Sequence, residues 1–207
     1  LCCALSFRLA GMSWFDAIMH TFSTMGLGGC SSHDASFGYF NSVAIECVTI
    51  VFMLIAGMNF ATHFLAVTGR SLRPYRSDPE ASWFLAVTLG SVLAIAVFLV
   101  WHGIYLDFWV ALRHSAFNVI SIATTTGFAT VDYALWPMFA PLWMLFLCSF
   151  ATSAGSTGGG IKMIRALLLY KQVNRELVRA IHPNAVYQVR IGSEVVPVNI
   201  LFAVLAF

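Results

Sequence analysis

Apolar residues occur in long runs that are separated by short polar or glycine-rich segments. Two of these runs, residues 37–67 and 83–101, are long enough to span a membrane, and a shorter run covers residues 139–151. A helix needs about 20 consecutive apolar residues to cross a bilayer. The pattern therefore predicts a spanning helix for each long run and an apolar helix for the short one.

Two shorter, only partly apolar helices are predicted at residues 14–22 and 108–123. Ser13 occupies the position expected of a helix N-cap, and each helix runs into a segment rich in glycine or threonine. An amphipathic basic helix is predicted over residues 161–180, and a small hairpin over residues 181–197. The two partly apolar helices are too short to cross a membrane.

The apolar run 139–151 leads into a glycine-rich stretch, residues 153–160, with the sequence Ser-Ala-Gly-Ser-Thr-Gly-Gly-Gly. Each glycine costs a helix about 1 kcal/mol relative to alanine, so this stretch should break the helix. Hydrocarbon tolerates a broken backbone only where protein buries it or where it lines a watery cavity. The stretch is therefore either a gate or ion-binding element at membrane depth, or a loop outside the membrane.

Composition identifies the class of protein. Of the 207 residues, 59% are hydrophobic and 10% are charged, and the mean hydropathy is +0.83, whereas soluble domains carry about 25% charged residues. We expect an integral membrane protein with room for about four or five spans. The sequence begins at Leu1 without Met and ends at Phe207 within an apolar stretch, residues 195–207, so we expect a fragment of a longer polytopic chain. The five cysteines lack C-x-x-C spacing and are interpreted as small buried hydrophobes.

Charge is distributed unevenly along the chain. Residues 69–80 and 161–190 carry nine of the eleven lysines and arginines. The connections 10–38 and 102–138 carry four aspartates against Arg113 alone. The positive-inside rule therefore predicts that the two basic segments face the cytoplasm and that both connections face outside.

The order span, short helix, Thr/Gly segment and span occurs twice in the chain. Gly26 and Gly127 mark the two copies, 101 positions apart. His20 lies six residues before its glycine and His114 lies thirteen residues before its own. The difference of seven residues predicts that the second short helix is two turns longer and keeps the same facing.

Two short helices that end in Thr/Gly loops on the same side of a membrane predict an ion selectivity filter. Backbone carbonyls turned inward replace the hydration shell of a cation, and the helix C-termini bring partial negative charge toward it. Asp34 and Asp132 near the mouth would raise the local cation concentration, although solvated loop carboxylates are the commoner explanation.

Several motifs resemble those of a known family. Residues 22–29 (Phe-Ser-Thr-Met-Gly-Leu-Gly-Gly) and 123–128 (Ala-Thr-Thr-Thr-Gly-Phe) resemble filter segments, residues 154–162 resemble an intramembrane gating loop, and residues 181–186 resemble the cytoplasmic connection that follows it. Together they are similar to the Trk/Ktr/HKT superfamily of potassium transporters, and the last two are similar to its TrkH-type branch. That superfamily has four span–pore helix–span repeats around one pore.

The resemblance implies an all-α membrane protein of repeated span–pore helix–filter loop–span units, potassium-channel-like, with two repeats of an expected four. It divides the chain into a second pore repeat (1–68), a cytoplasmic linker (69–80), a third pore repeat with a broken second span (81–180), and a cytoplasmic connection with the start of the next repeat (181–207).

The resemblance also implies the ion ligands, which are the residues just before and at each filter glycine. They are Thr24, Met25, Gly26, Thr125, Thr126 and Gly127. Because a thioether is a poor ligand for a hard cation, Met25 would use its backbone carbonyl, and we expect backbone coordination throughout. The implied gating loop comprises Gly155, Ser156, Thr157, Gly158, Gly159, Gly160 and Lys162.

By the same resemblance, the expected function is potassium uptake through a filter-lined, gated pore, with K⁺ as the transported ion and no chemical step. The implied location is the bacterial cell inner membrane, with several passes through the lipid. The implied partners are a second copy of the chain and a cytosolic nucleotide-binding regulatory subunit of TrkA type. No nucleic-acid partner is expected.

Two other classes were weighed. An ion-coupled secondary transporter with a broken-helix substrate site fits the glycine break, but it does not predict two outward-side Thr/Gly loops at matched positions. An enzyme is not predicted, because the scattered histidines show no metal-ligand spacing such as H-E-x-x-H.

Single polar residues leave alternatives open. Glu46 either snorkels to the outer surface or serves a function within the membrane. Lys162 either repels ions in a closed gate or, as we slightly favour, snorkels to the cytoplasm. We expect His20 and His114 to be bonded to a neighbouring helix rather than to relay protons, and His63 to be interfacial.

Overall fold

The computed structural model describes residues 1–182, 188–191, 194–197 and 203. The described residues are mostly helical. The helices are α1 (Cys2–Leu9), α2 (Trp14–Met25), α3 (Val43–Gly57), α4 (Phe60–Thr68), α5 (Arg73–Ser77), α6 (Pro79–Trp101), α7 (Phe108–Ala123), α8 (Phe139–Cys148) and α9 (Met163–Ile181), with 3₁₀ turns at Ser36–Tyr39 and Tyr133–Leu135.

The hairpin predicted over 181–197 is represented by a short antiparallel pair, β1 (Arg190–Ile191) with β2 (Glu194–Val195). Residues 183–187, which belong to the predicted cytoplasmic connection, lie outside the described residues. The span predicted to begin near Val198 also lies outside them, apart from position 203.

Helix α6 is the clearest spanning element. It has 23 residues, of which an 18-residue stretch has a mean hydropathy of 2.5. In the part of the chain that the structure describes, it is the one unbroken helix long and apolar enough to cross a membrane. Leu93 and Val97 are exposed along one face, as expected where a helix faces lipid. The helix begins four residues before the predicted start, because the Asp78 carboxylate caps it by accepting the Glu80 N–H at 2.9 Å.

The prediction of one continuous helix over residues 37–67 is wrong. The run begins with a 3₁₀ turn and then forms α3 and α4, which meet at an angle of 98°. Met58 is extended at the junction, and the Asn59 side chain caps α4 by accepting the Ala61 N–H at 2.9 Å. Together α3 and α4 are apolar and long enough to count as a second, broken span.

The two partly apolar helices form as predicted. Ser13 caps α2 by accepting the Asp16 N–H at 3.0 Å, and α2 continues three residues past the predicted end at residue 22. Helix α7 has the predicted bounds. Behind both helices lies a buried aromatic cluster, in which the rings of Phe37 and Phe128 are 4.5 Å apart and those of Phe37 and Phe117 are 5.2 Å apart.

The predicted break after α8 is present. Helix α8 ends at Cys148, three residues before the predicted end, and irregular backbone continues to Lys162 before α9 begins. Lys162 has a φ of +77°, so the chain turns sharply into α9. We call residues 153–162 the glycine loop.

Candidate functional site

Two loops follow the two short helices and share one backbone conformation. We call residues 26–30 loop A and residues 124–128 loop B. In loop A, the Gly28 N–H donates to the Ser23 carbonyl at 2.8 Å. In loop B, the Thr126 N–H donates to the Ser121 carbonyl at the same distance. By these two equivalent bonds, Gly28 is the structural counterpart of Thr126, 98 positions later in the chain.

Backbone dihedrals give the same offset. Leu27 and Thr125 have φ values of +50° and +61°, and Gly29 and Gly127 have φ values of +68° and +89°. These are the left-handed positions of each loop, which most side chains avoid. Gly29, and not Gly26, is therefore the structural counterpart of Gly127.

The sequence pairing of Gly26 with Gly127 at 101 positions is thus wrong by three residues. Gly26 has a φ of −83° and forms the C-cap of α2, while Met25 is the last residue of that helix. The apparent match arose because Thr24-Met25-Gly26 mimics the T-x-G pattern of loop B. The aspartates that follow at equal distances, Asp34 and Asp132, carried the correct offset of 98 positions.

The corrected offset also changes the pairing of the histidines. The counterpart of buried His20 is buried Asn118, and not His114. His20 donates through Nδ1 to the Asp16 carbonyl (2.8 Å) and accepts at Nε2 from the Ser31 hydroxyl (2.9 Å), so its partners lie in its own helix and in the following loop. Helix α7 has 16 residues against 12 in α2, so it is about one turn longer, and not two.

Asn118 and His114 both support the segment after loop B. Asn118 accepts the Thr130 N–H at 3.3 Å and donates to the Thr130 hydroxyl at 3.0 Å. His114 lies 3.4 Å from the same hydroxyl and stacks on Tyr105. The ring nitrogens of His20 and His114 thus bond within their own helix or to the segment after each loop, and not to a neighbouring helix as expected.

Loops A and B touch each other. A Cβ added at Gly29 would lie 2.1 Å from the Thr126 carbonyl oxygen, so only glycine fits there. A Cβ added at Gly127 would meet nothing within 4 Å. Gly29 therefore has a steric requirement in addition to its left-handed backbone, and sequence reasoning did not identify it as a site residue.

The hydroxyls of Thr124 and Thr126 in loop B are used in internal hydrogen bonds, and the Thr125 hydroxyl accepts from the glycine loop. Thr124 donates to the Ile120 carbonyl at 2.7 Å and lies 2.7 Å from the Thr126 hydroxyl. Ser121 donates to the Phe128 carbonyl at 2.7 Å and so braces the far end of the loop. What loop B leaves for a cation is therefore backbone carbonyl oxygen.

The glycine loop lies directly against both loops. The Thr157 hydroxyl donates to the Met25 carbonyl at 3.0 Å, and the Gly159 N–H donates to the Thr125 hydroxyl at 2.8 Å. Lys162 donates to the Gly158 carbonyl. Its ammonium is therefore hydrogen-bonded within the loop.

The base of the glycine loop is attached to the bend between α3 and α4. The Ser153 N–H donates to the Gly57 carbonyl at 3.0 Å, and the Phe60 N–H donates to the Gly155 carbonyl at 3.1 Å. These bonds use backbone groups that the two helix breaks leave unpaired. The break between α3 and α4 and the break after α8 therefore lie side by side, and the unpaired backbone groups of one are hydrogen-bonded to those of the other.

Glu46 is buried and paired. Arg113 on α7 donates through Nε and Nη2 to the Glu46 carboxylate on α3, at 2.7 and 2.6 Å, and also to Asn41 at 3.1 Å. This bidentate geometry is the strong form of such a pair. Glu46 therefore does not snorkel.

His63, which we expected at the interface, bonds to the Tyr75 hydroxyl (2.7 Å) and the Ile55 carbonyl (2.8 Å).

An open cleft of about 450 Å³ lies on the side of the loops where the connections emerge. Asp34, Ser36, Thr130 and Asp132 are among the residues that line it. The two aspartates occupy equivalent positions in the two copies and share the rim of one cleft, as expected for residues near a common mouth.

Comparison with known proteins adds to this geometry. The family model described as TrkH, cation transport protein, matches residues 2–207. The chain is 48% identical over 205 residues to the Trk system potassium uptake protein TrkH of Salmonella typhimurium and 38% identical to the Trk system potassium uptake protein TrkG of Escherichia coli. The two alignments cover 99% and 100% of this chain and 42% of each relative. The chain therefore spans less than half the length of these relatives.

The fold agrees with a solved structure. The crystal structure of the potassium transporter TrkH from Vibrio parahaemolyticus matches with a TM-score of 0.95 and 44% sequence identity, over 99% of this chain and 44% of that one. The expected fold class, an all-α membrane protein of pore-helix repeats, is thereby confirmed, and the family is one of cation transporters and not of enzymes. The chain belongs to the TrkH family of cation transport proteins.

Proposed function

We propose that this chain forms two of the repeats around a potassium-selective pore, and that the complete protein takes up K⁺ across the bacterial cell inner membrane. The observation that carries the proposal is the contact between loops A and B, which share a backbone conformation and meet at Gly29 and Thr126. Two equivalent loops in contact around one point are what a filter made of backbone carbonyls requires. Residues 1–68 and 81–180 would be the two repeats, with residues 69–80 as linker and 181–207 as the connection to the next repeat.

The proposed ion ligands follow the corrected offset. They are backbone carbonyls of Leu27, Gly28, Gly29, Thr125, Thr126 and Gly127. Thr24, Met25 and Gly26 are replaced because the Met25 carbonyl already accepts from Thr157 and the Thr24 carbonyl accepts the Leu27 N–H at 3.3 Å. Gly26 belongs to the end of α2.

The glycine loop is the proposed gate. Gly155, Ser156, Thr157, Gly158, Gly159, Gly160 and Lys162 are its proposed members. Its hydrogen bonds to Met25 and Thr125 support a position just beneath the proposed filter. The bond from Lys162 to Gly158 supports a role for this ammonium in holding the loop's shape.

The proposed orientation puts the basic segments 69–80 and 161–190 in the cytoplasm, by the positive-inside rule. We further propose that the complete protein is a multi-pass homodimer in the lipid bilayer. A cytosolic nucleotide-binding regulatory subunit of TrkA type would bind the cytoplasmic side, where α9 carries Arg165, Lys171, Arg175 and Arg179.

Reversal potentials test this function. The complete protein is reconstituted in planar bilayers, and currents are recorded with K⁺ on one side and Na⁺ on the other, at several pH gradients. We expect the reversal potential to follow the K⁺ gradient and to be independent of the pH gradient. A reversal potential that moves in fixed proportion with the H⁺ or Na⁺ gradient would instead indicate an ion-coupled secondary transporter.

A further inference from the structure

Glu80 is a buried carboxylate that the filter and the gate described so far do not use. It lies in the first turn of α6, immediately after Pro79, and is 6% exposed. A carboxylate in a first turn commonly faces water and complements the helix dipole. This side chain instead points away from solvent and toward the glycine loop.

One carboxylate oxygen of Glu80 joins the two ends of the glycine loop. Its Oε1 accepts the Ala154 N–H at 3.1 Å and the Ile164 N–H at 2.8 Å. Ile164 is in the first turn of α9, where backbone N–H groups have no partner within the helix. Lys162, the N-cap residue of α9, makes no side-chain cap. Glu80 therefore caps α9 from another helix.

Other contacts divide the loop into a fixed base and a central part. Ser153 and Gly155 are bonded to the bend between α3 and α4, and Glu80 holds Ala154 between them. The central part, residues 156–160, reaches the proposed filter through one bond from Thr157 and one from Gly159. With both ends joined at one oxygen atom, the central part is directed toward loops A and B.

We propose that Glu80 is the positioning residue that holds the glycine loop in its closed place beneath the filter. The proposal rests on the proposed pore function. When the carboxylate oxygen is lost, the Ala154 and Ile164 N–H groups lose their shared acceptor. The ends of the loop are then joined by the backbone bonds from Met163 to the Thr152 carbonyl (2.8 Å) and from Ile161 to the Ser149 carbonyl (2.7 Å), and they separate more readily. The open state then becomes more populated, while loops A and B keep their conformation.

The test compares three variants of the complete protein in proteoliposomes without any regulatory subunit. Glu80→Ala removes the acceptor, and Glu80→Gln keeps an acceptor oxygen in nearly the same place. Glu176→Ala is the matched control, because it removes an exposed carboxylate from α9. We expect Glu80→Ala to raise basal K⁺ flux about tenfold, the change that follows from losing roughly one net hydrogen bond to a charged group. Glu80→Gln and Glu176→Ala should stay within about twofold of the unmodified protein.

Two further readouts separate positioning from a general structural role. In a background without other reactive cysteines, Ser156→Cys should react faster with a water-soluble thiol reagent when Glu80→Ala is also present. The K⁺/Na⁺ selectivity should not change. Unchanged flux and unchanged thiol reactivity in a folded Glu80→Ala protein would overturn the proposal.

If Glu80→Ala does not fold, Glu80→Asp carries the test, because its shorter side chain draws the acceptor away from both N–H groups. A folded Glu80→Asp protein with unchanged flux would overturn the proposal as well. Failure of the pore function is recognised separately: in that case the unmodified protein itself shows no K⁺-selective current.

Discussion

Loops A and B share one backbone conformation, but different side-chain contacts stabilise it. Side-chain hydroxyl groups stabilise loop B: the Ser121 hydroxyl on α7 donates to the Phe128 carbonyl, and the Thr124 and Thr126 hydroxyls are bonded to each other. In loop A, the equivalent Ser23 hydroxyl is buried without a hydrogen-bond partner among the described residues. Loop A instead relies on the close fit of Gly29 against Thr126. The backbone conformation is therefore what both loops require, and different side-chain contacts stabilise it in each.

The largest expected effect comes from an added methyl group at the contact between the loops. Gly29→Ala places a Cβ 2.1 Å from the Thr126 carbonyl at a φ of +68°, so a left-handed cost of about 1–2 kcal/mol adds to an overpacking cost of about 1–3 kcal/mol. We expect K⁺ flux to fall about 100-fold, at about 1.4 kcal/mol per tenfold change. Rubidium-tracer uptake by the complete protein measures it.

Gly127→Ala is the matched control for that variant, because its added Cβ meets nothing within 4 Å. It carries the left-handed cost alone, and flux should fall about tenfold. The longer Gly127→Ser should alter K⁺/Na⁺ selectivity more than it alters expression. Equal losses in Gly29→Ala and Gly127→Ala would contradict the asymmetry between the loops.

The next effect concerns the ion pair that ties α7, and with it loop B, to α3 of the other repeat. Arg113→Ala leaves the Glu46 carboxylate, whose side chain is 4% exposed, without its counter-charge. Breaking a buried pair in this way costs about 3 kcal/mol. Glu46→Ala should cost less, because the Arg113 side chain is 28% exposed. Thermal unfolding in detergent measures both variants.

A double-mutant cycle checks the interpretation. If the loss in Arg113→Ala comes from an unpaired buried carboxylate, the double variant Glu46→Ala/Arg113→Ala should be more stable than Arg113→Ala alone. Additive losses would show that the two side chains act independently.

A smaller effect compares two serines at equivalent positions. Ser121→Ala removes the brace to the Phe128 carbonyl and should lower the unfolding free energy by about 1 kcal/mol. Ser23→Ala removes a hydroxyl that has no partner among the described residues, and its stability should be unchanged or slightly higher. Thermal unfolding of the two variants, measured side by side, tests this. A larger loss of stability in Ser23→Ala than in Ser121→Ala would contradict the proposal that side-chain hydroxyls stabilise loop B more than loop A.

The smallest effect is expected at Gly26. This residue has a φ of −83° in the C-cap of α2, which alanine adopts readily. An added Cβ would lie 3.0 Å from the Phe22 carbonyl oxygen, which a small shift at the end of the helix relieves. We expect Gly26→Ala to change stability by no more than about 0.5 kcal/mol and to leave K⁺/Na⁺ selectivity unaltered. Altered selectivity here, with normal selectivity in a folded Gly29→Ala protein, would restore the original pairing of Gly26 with Gly127.

Elements governed by local chemistry were predictable from the sequence. The bounds of α7 and the cap at Ser13 follow from short-range signals, and the structure has both. The break after α8 follows from the glycines alone. The family resemblance also gave the correct fold class, since the motifs at 123–128 and 154–162 are specific enough to identify it.

Features that depend on contacts distant in sequence were not predictable. At the bend near Met58, the Gly57 carbonyl accepts from Ser153 and the Phe60 N–H donates to Gly155, and both partners are in the glycine loop about a hundred residues away. An apolar run with a glycine and an asparagine in its middle does not reveal such partners. The offset of 98 positions was missed for a related reason: T-x-G identifies residue types, whereas the left-handed φ that defines the loop belongs to the backbone.

The pair between Glu46 and Arg113 also constrains how the protein is made. The two residues are 67 positions apart, so at about 5–20 residues per second α3 leaves the ribosome roughly 3–13 s before its counter-charge is synthesised. During that interval a carboxylate in an otherwise apolar helix disfavours insertion into lipid. We therefore expect α3 to insert stably only after α7 of the other repeat supplies the arginine, so that the two repeats enter the membrane together.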